Sequence, residues 1–341
     1  MPKILIRATN WVGDAVMSLP AVRALRARFP DSEIAVLARP WVADLYARET
    51  AIDRVIPYGA APGFRDFASK WKIAAVLRAE RFDMAVLLQN AFEAAAIARL
   101  ARIPRVIGYN RDARRWLLTQ PVPVPKRGEI PRHERFYYLE LLRRANLLNE
   151  LPAGDAIRLE GAADAAAEGA RELSRRGITG AVIGVSPGAA YGNAKRWLPE
   201  RFAETSERVA RAQQATVALF GSHSERELCD SVAKLIGVPV HNLAGETTLR
   251  QFIDMAAACR LFLTNDSGGM HIASALGVPT VAIFGATDDI ATGPTGSLAR
   301  VVREPVECSP CLLRECPIDH RCMTRVDSSK VARICLDLLA K

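Results

Sequence analysis

The sequence of 341 residues contains no run of about 20 apolar residues, so no segment is predicted to cross a membrane as a helix. It also lacks a charged and then apolar segment at its start, and we therefore expect a cytoplasmic protein. In that compartment the seven cysteines do not indicate disulfides. With 50% hydrophobic residues, the chain is long enough for two domains, each with its own core.

Negative charge is scarce in the first half of the chain. Residues 1–150 contain 25 Lys and Arg but only 15 Asp and Glu, whereas residues 151–341 contain 21 and 22. The excess predicts an anionic partner for the first half: a phosphorylated or carboxylated substrate, a membrane surface or nucleic acid. Nucleic acid is the least favoured, because no recognition-helix, zinc-finger or RNA-binding motif is present.

Two common nucleotide-binding motifs are also missing. The turn after the first predicted strand has one glycine, Gly13, where a dinucleotide fingerprint needs three, and no P-loop occurs in the sequence. A dehydrogenase of similar architecture is therefore disfavoured. Because there is no Asp-x-Asp pair or cluster of His and carboxylates, we expect neither a metal nor a cofactor.

Short apolar runs alternate with segments of helical periodicity in both halves, which predicts an α/β protein with parallel sheets covered by helices on both faces. Strands are predicted at residues 3–8, 34–37, 55–56, 85–88 and 106–107, and then at 182–185, 217–220, 261–263 and 280–284. Helices are predicted at residues 18–28, 41–47, 67–78, 91–101, 133–148, 202–212, 225–236 and 249–257, and after Gly269. Pro, Gly and Asp in residues 149–164 indicate a linker. We therefore expect two doubly wound, Rossmann-like domains, 1–160 and 161–341, that face each other across a cleft.

The clearest local pattern is a strand, a Gly-rich turn and a helix around residue 266. Asp266, Ser267, Gly268 and Gly269 follow the strand, and His271 lies in the helix that comes next. The free N–H groups and dipole of such a helix suit an anion, and glycine lets a phosphate approach the backbone. Asp266 fits hydroxyls of a sugar or ribose better than it fits an anion. Alternatively, Asp266 or Ser267 only caps the helix.

Three more turns follow strands of the second half and carry polar, Gly-containing sequence. The first runs from Ser186 to Trp197 and includes Lys195 and Arg196, which could neutralise a diphosphate or could form a solvated basic loop. The second contains Glu225, and the third contains Thr247 and Thr248, either of which could cap a helix. Because the carboxyl ends of parallel strands meet at one edge of a sheet, one ligand that spans these turns explains them together.

The turn after the first strand carries a single carboxylate, Asp14, near the apolar Trp11. A partly desolvated aspartate with a raised pKa is a reasonable general base, whereas a helix N-cap is the alternative role. The helix that follows begins either at Ser18 as its N-cap or near Asp14, with a kink at Pro20.

Several motifs together resemble a known family. They are V-G-D-A-V-M at residues 12–17, P-G-A-A-Y-G-N-A-K-R-W at 187–197, N-D-S-G-G-M-H at 265–271 and F-G-A-T-D at 284–288, with shorter matches at 90–92, 108–109 and 133–136. In this order they resemble the ADP-heptose:lipopolysaccharide heptosyltransferases of glycosyltransferase family 9, of which heptosyltransferase II is the most similar type. The likeness covers nearly the whole chain.

The resemblance implies a GT-B fold and an inverting, metal-independent transfer of heptose from ADP-heptose to the inner core of lipopolysaccharide. It also implies an acceptor of the Kdo–lipid A type, peripheral attachment at the inner face of the cytoplasmic membrane, and a last helix that packs back on the first domain. Asp14 matches the catalytic base, Lys195 the diphosphate contact, Asp266 the contact on the heptose side and Glu225 a nucleoside contact. The expected donor-binding residues are Ser186, Lys195, Glu225, Thr247, Asp266, Ser267, Gly268, Gly269 and His271. The expected acceptor-binding residues are Asn10, Trp11, Gly13, Arg111, Arg114 and Arg115. The three arginines are expected there because they lie next to the apolar segment 116–118, which suits a glycolipid at a membrane surface, and a solvated loop is the alternative.

Two alternatives to this function stay open on the sequence. The chain could be another family 9 heptosyltransferase that acts at a different core position. If Asp14 is only structural, the chain could instead be a nucleotide-sugar-binding protein without transferase activity.

The cysteines between residues 308 and 322 are the part of the sequence that this function does not explain. Cys308, Cys311, Cys316 and Cys322 are close enough in sequence to chelate zinc or a cluster, but their spacing matches no standard site. Reduced thiols without a ligand are the favoured interpretation. The remaining cysteines, Cys229, Cys259 and Cys335, are expected in the core.

Overall fold

The computed structural model describes residues 1–59, 64–152, 154 and 156–340, and for residues 64–66 it describes the backbone alone. The chain divides into two compact units, Met1–Gly154 and Asp155–Lys341. This division comes before the expected boundary at residue 160, because the segment after it bonds to the second unit: the amide of Leu159 donates to the carbonyl of Ala275. Within the predicted linker, Ala153 and Asp155 lie outside the described residues.

The described part of the first unit forms a six-stranded parallel sheet with helices between the strands. Its strands are β1 Lys3–Arg7, β2 Glu33–Ala38, β3 Arg54–Pro57, β4 Met84–Leu87, β5 Arg105–Tyr109 and β6 Gln120–Val122. Its helices are α1 Val12–Arg28, α2 Pro40–Tyr46, α3 Phe64–Glu80, α4 Phe92–Leu100 and α5 Arg135–Arg144, with a 3₁₀ turn at Arg115–Leu117. The strand order is β3-β2-β1-β4-β5-β6.

The second unit repeats this arrangement. Its strands are β7 Val182–Ser186, β8 Thr216–Leu219, β9 Val240–Asn242, β10 Leu261–Asn265, β11 Thr280–Ile283 and β12 Ala299–Val302. Its helices are α6 Ala162–Arg175, α7 Pro199–Gln213, α8 Arg226–Ala233, α9 Leu249–Ala257, α10 Gly268–Ala275, α11 Asp289–Thr292, α12 Arg321–Thr324 and α13 Ser328–Leu339. The order β12-β11-β10-β7-β8-β9 is that of the first sheet read from the other edge, so both sheets have the strand order of the Rossmann fold.

The predicted parallel α/β architecture is confirmed, and its cause is visible in the central strands. Residues 4–6 of β1 and residues 261–263 of β10 are at most 1% exposed, because helices cover both faces of each sheet. In this strand order successive strands are added first to one side of the sheet and then to the other. The topological switch point lies between β1 and β4 in one unit and between β7 and β10 in the other. Ligands of such sheets bind at the carboxyl ends of these strands.

The elements that the sequence did not predict are three short edge strands and the helices α6, α11 and α12. β6 and β9 have three residues each, β12 has four, and β6 contains Pro121, which an edge strand tolerates because its N–H side need not be paired. The Ala-rich helix α6 was also missed, since its start overlaps the predicted linker. The last helix packs on α7 and β11 of its own unit, and its additional packing on the first domain stays a prediction.

Helix α1 begins at Val12, so the early start is the correct alternative for this helix. Ser18 is not its N-cap: it is fully buried inside the helix, where its hydroxyl donates to the carbonyl of Ala15 at 2.8 Å and lies 3.1 Å from the hydroxyl of Tyr46. Pro20 lies within the helix. Asp14 is consequently in the first turn, at the carboxyl end of β1.

Candidate functional site

The topological switch point between β7 and β10 brings two of the predicted donor-binding residues together. Ser186, the last residue of β7, lies beside Thr264 of β10 in the sheet register. The turns that follow these strands meet, and the Lys195 ammonium lies 2.7 Å from Oδ2 of Asp266. The side chains are 14% and 5% exposed, respectively, so this charge pair is largely removed from water.

The Asp266 carboxylate is held from a second side by a residue that the sequence analysis did not select. The hydroxyl of Thr287 donates to the same Oδ2 at 2.6 Å. Thr287 follows β11 and belongs to the F-G-A-T-D motif, which was used for the resemblance without a role for its threonine. Asp266 is therefore fixed by residues from two neighbouring turns.

Capping does not explain the turn around Asp266. Ser267 occupies the N-cap position of α10 but makes no side-chain capping bond, and its hydroxyl lies 3.1 Å from that of Thr264. Gly268 and Gly269 form the first turn of α10. His271 is buried in the same helix, at 5% exposure, which leaves it little surface for a ligand.

Asn265 connects the two turns and was not selected from the sequence. It is fully buried, and its Oδ1 accepts from the amide of Trp197 at 3.0 Å. Its Nδ2 donates to the carbonyl of Pro187 at 2.7 Å. One side chain at the end of β10 thus holds both ends of the turn that carries Lys195.

The other two predicted donor turns lie at the same edge of the sheet. The carboxylate of Glu225 accepts from the amide and hydroxyl of Ser222, each at 2.8 Å, so it acts in a capping box. It also lies against Gly188, where a Cβ would come 2.0 Å from its Oε1. Farther along the chain, the cap of α9 is Thr248, which accepts from the amide of Gln251 at 3.2 Å, and not Thr247.

The segment with the four close cysteines supports the Lys195 turn. The hydroxyl of Tyr191 donates to the carbonyl of Leu312 at 2.9 Å, and the amide of Ala194 donates to that of Arg314 at 3.0 Å. The Lys195 ammonium lies 4.9 Å from the centre of the Tyr191 ring. This segment therefore helps to position the cation.

All seven cysteines are free thiols, and Cys229, Cys259 and Cys335 are buried, as predicted. The other four line one pocket together with His320, and burial raises the pKa of the Cys322 thiol to about 11. Within the part of the chain that the structure describes, no group of three or more His, Cys, Asp or Glu side chains is arranged to hold a metal ion.

In the first unit, α5 packs against α1 and brings a second carboxylate near Asp14. This is Glu134, the residue before α5, whose pKa is raised by burial and further by the charge of Asp14. The sequence contains Glu134 in a matched motif, but its proximity to Asp14 depends on packing between distant helices.

Of the expected acceptor residues nearby, Trp11 is 57% exposed, whereas Asn10 is held by its carbonyl, which accepts from the Trp41 indole at 2.8 Å. Gly13 lies in the first turn of α1.

Arg114 is a correction to the expected acceptor-binding cluster. It is fully buried, and its guanidinium donates to the carbonyls of Tyr109, Gln89 and Ala91 and to Oδ1 of Asn90. Burial lowers its pKa to about 10. It holds the turn after β4, and its buried guanidinium is not displayed on the surface for an acceptor substrate. Arg111 and Arg115, in contrast, are exposed.

Two doubly wound domains in one chain are the domain architecture of the GT-B glycosyltransferases, although this architecture alone does not define the activity. The profile of glycosyltransferase family 9 (heptosyltransferase) matches residues 70–321. The chain is 32% identical over 310 residues, 88% of each protein, to lipopolysaccharide heptosyltransferase 2 of Escherichia coli (strain K12). The solved structure of E. coli ADP-heptose LPS heptosyltransferase II covers 99% of this chain and 98% of its own, with a TM-score of 0.84 and 29% identity. The chain therefore belongs to glycosyltransferase family 9.

The first prediction concerns Asn265, which positions the Lys195 turn. Asn265→Leu removes the bonds to Trp197 and Pro187 and leaves buried backbone groups without partners, each of which costs about 1–3 kcal/mol. We expect a melting temperature lower by several degrees, measured by thermal unfolding. Ser231→Ala, on the exposed part of α8, is the control and should change it by less than about 1 °C. Equal stability of the two variants would contradict the role of Asn265.

Proposed function

We propose that this protein transfers L-glycero-D-manno-heptose from ADP-heptose to the inner core of lipopolysaccharide, with inversion, as a heptosyltransferase of type II. The observation that carries the proposal is the Lys195–Asp266 pair at the topological switch point of the second sheet. It presents a cation for a diphosphate beside a carboxylate for sugar hydroxyls, in a chain that belongs to family 9.

In the proposed reaction the acceptor oxygen forms a bond to the anomeric carbon while the bond from that carbon to the diphosphate breaks. Asp14 takes the proton of the acceptor hydroxyl, and ADP leaves on the opposite face. The transition state resembles an oxocarbenium ion, as in glycoside hydrolysis. Lys195 stabilises the negative charge that grows on ADP, a role that a metal ion has in other transferases, so the transfer is proposed to be metal-independent.

The position of Lys195 suits this role because its charge is held in place before the substrate arrives. Asp266 and the ring of Tyr191 fix the ammonium, so little reorganisation is needed when charge develops. Among the described residues, Lys195 and Thr287 both bond to Oδ2 of Asp266, and we propose that Oδ1 accepts from hydroxyls of the donor sugar.

We also propose that the first unit attaches the enzyme to an anionic membrane, where a Kdo–lipid A type acceptor would reside. No helix in the described ranges is long and apolar enough to span a bilayer. The exposed large aromatic side chains all belong to the first unit, which also carries the positive excess: Trp11, Trp41, Phe67, Trp71, Phe92 and Trp116. Aromatic rings with nearby cations suit the interface of a membrane with anionic lipids.

Four of these rings form one surface. Phe67 and Trp71 of α3 lie 6.0 Å apart, and Phe92 and Trp116 lie 5.8 Å apart. Helix α3 packs against α4, and the Lys70 ammonium lies 3.0 Å from Oε2 of Glu93, so we infer that the two pairs share one surface. Arg115 and Lys72 are exposed next to Trp116 and Trp71 in sequence.

The function is tested by mass spectrometry of a truncated core acceptor incubated with ADP-heptose and EDTA. The wild-type protein should add one heptose to the acceptor. Asp14→Asn should lower the rate by about 10²–10⁴-fold, because loss of a general base has this effect, while ADP-heptose binding persists. Near wild-type transfer by a folded Asp14→Asn protein would remove Asp14 as the base. Donor binding without transfer by the wild-type protein would support a nucleotide-sugar-binding protein instead.

The role of Lys195 is tested with ADP binding. Lys195→Ala should weaken ADP binding in calorimetry by about tenfold or more and should also lower kcat, because the ammonium interacts more strongly as charge builds on the leaving group. Lys195→Arg keeps the charge and should retain part of the affinity. Unchanged ADP affinity in Lys195→Ala would place this residue outside the donor site.

Membrane attachment is tested by flotation with vesicles that contain anionic lipids. Trp71→Ser combined with Trp116→Ser should reduce the bound fraction several-fold at any salt concentration, because apolar insertion is not screened. Ile290→Ser, which removes an exposed aliphatic side chain of the second unit, is the control and should bind as the wild type does. Arg115→Gln should matter only at low salt, since exposed charges are screened within about 10 Å at 0.1 M. Equal flotation of all variants would reject this surface.

A further inference from the structure

The carboxyl end of the first sheet contains a pair of buried arginines that the proposed reaction does not use. Arg7 ends β1 and is 1% exposed, and Arg39 follows β2 and is 6% exposed. The ring of Tyr58, which follows β3, lies close to both: its centre is 5.6 Å from the guanidinium carbon of Arg7 and 4.2 Å from that of Arg39. Three adjacent strands thus contribute to one cationic cluster.

Few acceptors face these two cations. Arg39 donates from Nη2 to Oε1 of Glu93 at 2.9 Å. Arg7 donates from Nη1 to the carbonyls of Ala8 at 2.7 Å and Leu37 at 3.4 Å, and from Nη2 to Oδ1 of Asn10 at 3.2 Å. The Nε atoms of both arginines and Nη1 of Arg39 are buried and have no hydrogen-bond partner among the described residues. Among the described residues, the guanidinium of Arg39 therefore makes a single hydrogen bond, although it has several N–H donors.

The charge of the cluster is also unbalanced. Among the described residues, Glu93 is the carboxylate bonded to it, and Glu93 additionally accepts from the hydroxyl of Tyr58 at 2.8 Å and from Lys70 at 3.0 Å. Burying an ion without full pairing and hydrogen bonding is unfavourable by several kcal/mol. In agreement, burial and the neighbouring charge of Arg39 lower the pKa of Arg7 to about 10.

The cluster is connected to the turn that carries Asp14. Asn10, four residues before Asp14, accepts from Arg7 through its side chain and from the indole of Trp41 through its carbonyl. The Trp41 ring lies 5.9 Å from the guanidinium carbon of Arg39 and is 54% exposed. The exposed indole of Trp41 therefore contacts both the cluster and the backbone of the Asp14 turn.

We propose that Arg7 and Arg39 form a binding site for an anionic group, a carboxylate or a phosphate, carried by the acceptor. Two guanidinium groups with unused N–H donors match the several oxygens of such a group, and charge-assisted bonds of this kind are the strong ones. The site lies at the carboxyl ends of β1 and β2, where ligands of this sheet type bind. The assignment to the acceptor rests on the proposed function, whereas anion binding itself does not.

Anion binding is tested by thermal unfolding of the full chain in inorganic phosphate, in glucuronate and in sodium chloride at equal ionic strength. An anion that binds the folded state raises the melting temperature, and we expect an increase of about 2–5 °C over chloride in the phosphate arm or the glucuronate arm. The arm with the larger increase identifies phosphate or carboxylate as the preferred group. Arg39→Gln should abolish the increase, Arg39→Lys should retain part of it, and Arg208→Gln, at an exposed position of α7, should leave it unchanged.

The acceptor is tested by kinetics. Arg39→Gln should raise the KM for an acceptor that carries the anionic group by about 10–100-fold and leave the KM for ADP-heptose unchanged, because a charge-assisted contact is lost on the acceptor side. Two results together would overturn the proposal: chloride stabilises the wild-type protein as much as phosphate and glucuronate do, and Arg39→Gln only raises the melting temperature. The arginines would then be a hydrated structural cluster and not an anion site. If the anion effect persists but no acceptor is glycosylated, the proposed function fails and the anion site stands.

Discussion

The charge pair between Lys195 and Asp266 is the interaction on which the candidate site depends. Removing two charges from water costs several kcal/mol per ion, and a buried pair is often no more stabilising than two apolar residues of similar volume. Here the pair is accompanied by the Thr287 hydroxyl and by the Tyr191 ring, and a buried asparagine fixes the turn that carries the cation. So many polar residues around one ion pair are better explained by ligand binding than by stability.

Strand order determines where this pair forms. In both units the two central strands are followed by turns that meet at one edge, and in the second unit those turns carry Lys195 and Asp266. In the first unit the corresponding turns carry Asp14 after β1 and the Gln89–Ala91 segment after β4, and Arg114 holds the latter by donating to two of its carbonyls and to Oδ1 of Asn90. The same topology thus positions Lys195 and Asp266, which we propose for the donor, in one unit and Asp14, which we propose for the acceptor, in the other.

The sequence predicts those parts of the fold and site that depend on local pattern. Apolar runs gave the central strands, and the rule that parallel strands end at one edge correctly grouped Lys195 with Asp266. Edge strands such as β6 were missed because three residues carry no periodicity. Thr287, Asn265 and Glu134 were missed because their roles come from contacts between segments far apart in sequence. Arg114 was misplaced because nothing local distinguishes an arginine that will bond to buried carbonyls from one in a solvated loop.

Arg114 and Arg39 provide an internal comparison for the buried charge of the first unit. Both guanidinium groups are removed from water, at 0% and 6% exposure. Arg114 donates to four oxygen atoms, so the local fold satisfies it completely enough for a structural role. Arg39 donates to one, and two of its nitrogens have no partner among the described residues, while Trp41 and Asn10 connect it to the turn of Asp14. A fold that gives every nitrogen of one buried arginine a partner and leaves two nitrogens of the other without one is the reason we propose Arg39, and not Arg114, as a binding residue of the first unit.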